Sequence, residues 1–139
     1  MRGRKAAFIA IIGSAWILAG CGQGEQPPAE PAGKLYTVEQ GRIDAKTFDG
    51  YQTWRAAGCQ RCHDDKPRAV SMGPSLTESL RKLSRSEFRT TVLKGRADKG
   101  MPAFADDPKV ADNIDNLYAY LKGRADGAIP PGKLVAIGS

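Results

Sequence analysis

Cys59-Gln60-Arg61-Cys62-His63 is the stretch that decides this chain. Cys-x-x-Cys-His is the attachment motif of a c-type haem. Two thiols three residues apart can add to the two vinyl groups of one porphyrin, and the adjacent histidine can then reach the iron from the same side. A structural zinc would need four ligands, and with Cys21 committed elsewhere, as argued below, only three Cys/His side chains remain. A thioredoxin-like dithiol would sit in a βαβ context, which the sequence lacks. Haem c is therefore the preferred cofactor, with Cys59 and Cys62 as its covalent anchors and His63 as an iron ligand.

His63 is the only histidine in 139 residues, so the second axial ligand must be another residue type. Once Met1 is set aside with the leader, Met72 and Met101 remain. Met72 follows His63 by nine residues and directly precedes Gly73-Pro74, so its loop is held to the histidine side; a packing role suits it. Met101 lies 38 residues beyond His63, in Lys99-Gly100-Met101-Pro102-Ala103-Phe104. That is enough chain to travel round a haem. Gly100 would let the backbone approach closely and Pro102 would stiffen the loop. The alternative for Met101 is a loop methionine packed on the core. A thioether favours Fe(II) and raises the potential relative to bis-histidine ligation. With both axial positions filled, substrate has no open site, which argues for outer-sphere electron transfer and against catalysis. The ring N–H of His63 not used for iron should meet a carbonyl, for which Pro74 is the best candidate.

Outward from the motif, the pattern is helical. Asp44 can cap a helix over residues 44–57 with Phe48, Tyr51 and Trp54 on one face and Gly58 at its end. Leu76, Leu80 and Leu83 form a short stripe. Ser84-Arg85-Ser86-Glu87 is a capping-box pattern ahead of Phe88, Val92 and Leu93, with Gly95 as the stop. Asp107-Pro108 starts a last helix whose apolar face is Val110, Ile114, Leu117, Tyr118 and Leu121, with Gly123 as its C-cap. No segment reads as a core strand, and the expected fold is all-α.

The N-terminal residues read as an address. Arg2, Arg4 and Lys5 precede a 15-residue, mostly apolar run, shorter than the ~20 residues of a spanning helix. The run closes on Leu18-Ala19-Gly20-Cys21, which resembles a bacterial lipobox, with Cys21 as the lipidated residue. The expected organisation is a signal peptide at 1–20, a lipidated cysteine and Pro/Gly-rich linker at 21–34, a haem domain at 35–133 and a tail at 134–139. A dozen linker residues in extended form would reach roughly 35 Å. Removing the leader lowers the formal charge from +6 to +3, so the basic balance is poor evidence for nucleic-acid binding. These features place the mature protein on the periplasmic side, anchored to a membrane by lipid.

The landmarks now in hand resemble a class I cytochrome c: Gly50 and Trp54 on the first helix, the motif with His63, Gly73-Pro74, Met101-Pro102, and Leu117-x-x-Tyr120-Leu121 on the last helix. The resemblance implies one haem, a His63/Met101 axial pair, a Pro74 carbonyl bonded to the histidine, and first and last helices crossing at Gly50 against Leu117 and Tyr120. The chain departs from the pattern in having one extra residue between Trp54 and Cys59, and Asp64 after the histidine. A narrower resemblance, through residues 48–54, 101–104, 114–121 and 124–130, is to cytochromes of methylotrophs. It implies redox protein partners: a PQQ-dependent (methanol-type) alcohol dehydrogenase as donor, and a downstream cytochrome or oxidase. The rivals are a donor to a terminal oxidase or other respiratory or photosynthetic complex, and a haem sensor or peroxidase-like enzyme. Residues 81–99 carry seven cations and two acids. This is a basic rim steering an acidic partner or a solvated helix face, with anionic lipid headgroups as a third counterpart.

Overall fold

The computed structural model describes residues 33–63 and 72–139. The leader, Cys21 and nearly all of the linker lie outside the described residues, as does the loop at 64–71.

The described chain opens with a hairpin, β1 (Val38–Glu39) and β2 (Arg42–Ile43), paired antiparallel. It turns at Gln40 and Gly41, both with positive φ. Residues 34–42 read as an extended lead-in, with some alternation at Leu35, Tyr36 and Val38; two-residue strands are too short for their pairing to show in the sequence. Helix α1 (Ala45–Ala56) follows, capped by Asp44, whose carboxylate accepts from Thr47 N at 3.0 Å, Thr47 Oγ1 at 2.7 Å and Thr37 N at 2.7 Å. The cap thus ties the lead-in strand to the helix. Burial pushes the Asp44 carboxyl up, but these donors together outweigh it and hold it below the usual carboxylate value.

A single turn, α2 (Leu76–Ser79), leads to α3 (Arg85–Lys94). The Ser84 capping box is complete: Ser84 N donates to Glu87 Oε2 at 2.8 Å and Glu87 N to Ser84 Oγ at 3.3 Å. Gly95 ends α3 with φ +68°.

The expected last helix is two helices, α4 (Pro108–Ala111) and α5 (Ile114–Ala125). Asp107 caps α4 as anticipated. The break falls at Asp112 and Asn113, where the Asn113 amide turns back to Lys109 O at 3.2 Å and accepts from Asn116 Nδ2 at 3.3 Å. Asparagine competes with the helix for backbone partners in this way. Gly123 is not the C-cap either. It lies inside α5, which ends at Asp126 with Gly127 at φ +75°. A Cβ on Gly123 would stand 2.5 Å from Ile129 Cδ1, so this glycine makes room for the chain that folds back after the helix.

Helix α5 is the central element. Eight of its twelve residues are buried, so it is enclosed by α1, α2, α3 and α4 rather than laid on a surface. Its crossing with α1 is the tightest point: a Cβ on Gly50 would fall 2.0 Å from Asn116 O and 2.9 Å from Leu117 N. Tyr51 and Trp54 then pack on Tyr120, with ring centroids 5.5 and 6.4 Å apart.

The stretch at 134–139, expected as a tail, is stitched to β2. Ile43 N donates to Val135 O at 3.1 Å and Ile137 N to Ile43 O at 2.8 Å, while Leu134 is 5% exposed. Ile43 offers an unpaired strand edge and Leu134 an apolar side chain to bury. Both are partners from opposite ends of the chain, outside any local pattern.

Candidate functional site

The motif sits where α1 hands over to a 3₁₀ turn, Cys59–Arg61. Gly58 makes the junction at φ +69°, a left-handed conformation that glycine adopts without strain. Cys62 N and His63 N both donate to Cys59 O, at 3.2 and 3.0 Å. One compact turn therefore fixes both sulfurs and the imidazole relative to one another. Neither thiol is in a disulfide. Burial, with a smaller contribution from Cys62, pushes the Cys59 thiol up to about 11.

His63 is oriented from the far side of the loop. Its Nδ1 lies 2.9 Å from Pro74 O. A carbonyl can only accept, so Nδ1 carries the proton and Nε2 keeps its lone pair. Gly73 N donates to Cys62 O at 2.8 Å, which draws the 73–74 segment against the ring. A Cβ at position 73 would be 2.7 Å from His63 Cε1 and 2.8 Å from Nδ1. That steric demand on Gly73 is invisible in the motif itself; only its place beside Pro74 hinted at it.

Met72 does not have the packing role expected of it. It is 77% exposed, because the chain turns inward only at Gly73. Met101 is half-buried and packs on the hydrophobic core. Its backbone forms an isolated bridge with Arg96: Arg96 N to Met101 O at 2.8 Å and Met101 N to Arg96 O at 3.0 Å. Gly100 makes the turn before Met101 in a left-handed conformation, with φ +76°.

A cleft of about 450 Å³ opens beside His63. Trp54, Leu76, Tyr120 and Leu121 give it apolar walls, and Arg55, Arg124 and Lys133 bring positive charge. The donor set on the motif turn suits a porphyrin: two thiols and an imidazole with Nε2 available. Of these residues only His63 lines the cleft; Cys59, Cys62 and Met101 do not. Of the cleft's lining, Tyr51 and Trp54 stand on the helix face read from the sequence, while Arg124 and Lys133 come from separated segments and were not foreseen.

The basic stretch is partly neutralised. Arg85 and Arg89 both reach Asp115 on α5, at 3.0 and 3.4 Å. Lys82, Lys94, Arg96 and Lys99 stand exposed, the last two in the hairpin that presents Met101.

A helical shell carrying Cys59–His63 on the turn after its first helix defines a small c-type cytochrome. Residues 45–121 match the family model described as cytochrome C oxidase, cbb3-type, subunit III. Cytochrome c-555 of Methylococcus capsulatus is 40% identical over 92 residues, which cover 66% of this chain and 73% of that protein. Cytochrome c-553I of Paracoccus denitrificans is 30% identical over 127 residues, 81% of this chain and 56% of that protein. The crystal structure of the c-type cytochrome XoxG from Methylobacterium extorquens AM1 aligns with a TM-score of 0.61 at 26% identity, covering 78% of this chain and 76% of that one. The chain belongs to this cytochrome c family: it is a class I, monohaem c-type cytochrome, an electron carrier rather than an enzyme.

Proposed function

We propose that the haem is held by thioethers to Cys59 and Cys62, with His63 and Met101 as axial ligands and the Pro74 carbonyl orienting the histidine. The observation that carries this reading is the 2.9 Å contact between His63 Nδ1 and Pro74 O. It fixes the tautomer and raises the basicity of Nε2. When bound, the haem supplies a one-electron iron couple. The chain's residues do the rest: His63 is held by one hydrogen bond and by the crowding of Gly73, and Met101 is held by its bridge to Arg96. Rigid donors on both sides keep the geometry similar in the two oxidation states.

In this reading residues 35–133 form the haem domain. It is tethered on the periplasmic side through residues 21–34, with a lipid on Cys21 after loss of the signal at 1–20. The donor is a PQQ-dependent alcohol dehydrogenase of methanol type. Support comes from the resemblance carried by residues 48–54, 101–104, 114–121 and 124–130. A second reading, delivery of electrons to a terminal oxidase, is favoured by the description of the family model that residues 45–121 match. The two can be successive steps of one chain. The test is reduction of the ferric protein by purified quinoprotein dehydrogenases, against oxidation of the ferrous protein by purified oxidases, across ionic strength. Fast reduction by a dehydrogenase, slowed by salt through Lys82, Lys94, Arg96 and Lys99, supports the first reading. Reaction only with an oxidase overturns it.

A further inference from the structure

The Met101 segment is built onto the end of α3. The last turn of a helix leaves carbonyls without intrahelical partners, and here the chain after Met101 takes two of them: Phe104 N donates to Val92 O and Ala105 N to Leu93 O, each at 3.2 Å. Before Met101, residues 96–101 close a tight hairpin. Its ends are the Arg96–Met101 bridge, and Lys99 N bonds Arg96 O at 2.9 Å inside it. Met101 is thus pinned by hydrogen bonds at its own backbone and again three and four residues later.

Between the two sets of bonds, Pro102 and Ala103 cross directly over Gly95. A Cβ on Gly95 would lie 2.6 Å from Pro102 C, 2.7 Å from Pro102 O and 2.6 Å from Ala103 N. Those are backbone atoms of the residues that follow Met101, so no side chain can swing away to relieve the contact. Gly95 also has φ +68° with ψ −174°, a region held essentially by glycine alone.

We propose that Gly95 is the positioning residue for the Met101 thioether: its missing Cβ sets how closely the methionine strand lies against α3, and so where the sulfur stands. The inference rests on Met101 being the iron ligand. Bringing the 2.7 Å separation from Pro102 O to the ~3.3 Å that a carbon and a carbonyl oxygen tolerate lifts residues 102–103 by roughly 0.6 Å. That exceeds the ~0.5 Å tolerance within which a site keeps its productive geometry.

The experiment compares haem-loaded full-length wild type with Gly95→Ala, Gly127→Ala and Met101→Ala. Gly127 also has a positive φ, +75°, but open space around it and no place in the Met101 segment, so its variant carries left-handed strain without the clash. The readouts are the weak red absorption band of thioether-ligated ferric haem, CO uptake by the ferrous form, and the midpoint potential. Gly95→Ala is expected to lose the band, take up CO and fall in potential, while Gly127→Ala keeps wild-type values on all three. Retention of the band in Gly95→Ala overturns the inference. If Met101→Ala keeps the band, the ligand assignment itself has failed. Should Gly95→Ala not fold, hydrogen exchange of wild type decides. Amides of Arg96, Met101, Phe104 and Ala105 should be protected to the same extent as those of α3, and free exchange at these four overturns the proposal.

Discussion

Replacing Gly50 by alanine attacks the crossing on which the fold depends. The added Cβ would stand 2.0 Å from Asn116 O, where a carbon and a carbonyl oxygen tolerate about 3.3 Å. The helices must therefore part by roughly 1.3 Å. Both clashing groups are backbone, so the separation cannot be avoided by a rotamer change. Overpacking of this kind costs about 1–3 kcal/mol. The Tyr51–Tyr120 and Trp54–Tyr120 contacts, at 5.5 and 6.4 Å, loosen at the same time, for about 0.5–1.5 kcal/mol each. Against this, alanine in a helix returns about 1 kcal/mol. The net expectation is a destabilisation of about 2–3 kcal/mol. For a domain near 100 residues that lowers Tm by roughly 10–20 °C. The assay is thermal unfolding of the haem-loaded protein followed by far-UV circular dichroism. Gly127→Ala is the control, because that glycine has φ +75° but nothing within 4 Å of a Cβ; it should cost about 1 kcal/mol. A Gly50→Ala melting temperature within two or three degrees of wild type would refute the argument.

Three other outcomes are expected. Gly73→Ala should displace the His63 ring and break its bond to Pro74 O, weakening the imidazole as a donor and raising the midpoint potential; an unchanged potential would count against the orienting role. Asp44→Ala should cost about 1 kcal/mol by loss of the cap. Because the folded carboxyl is held low, its contribution is present above the unfolded value of about 3.9 and fades as pH falls through the folded value. The wild-type advantage over the variant should therefore vanish in strong acid, and a difference that persists there contradicts the assignment. Asp115→Asn should release Arg85 and Arg89 at a stability cost below about 1 kcal/mol. It should speed reduction by an acidic donor at low salt, and a slower rate would place the docking surface elsewhere.

What the sequence disclosed was what short-range chemistry controls. Asp44, the Ser84–Glu87 box and Asp107-Pro108 all act within four residues, and each cap stands where its pattern put it. The motif turn was readable for the same reason. The misreadings are non-local. Asn113 interrupts an apolar face that continues smoothly from Val110 to Ile114, so the pattern hid the break. Gly123 has the residue type of a C-cap, but its neighbour is Ile129, brought back by the turn at Gly127. Gly95 ends α3 as its pattern put it, but the Pro102–Ala103 backbone lying over it shows only in space. The 134–139 segment lies on Ile43, more than ninety residues back in the chain, a pairing no window could show. The solvated-face reading of residues 81–99 had no way to include Asp115, which Arg85 and Arg89 reach only once α3 packs on α5.

The central claim is that a closed His63/Met101 iron makes this cytochrome an electron carrier. Exposure of the dithionite-reduced protein to CO at neutral pH tests it most directly. A ferrous spectrum unchanged by CO is the predicted result. Ready formation of a CO adduct in the wild type would mean that Met101 does not hold the sixth position, and the account would fall.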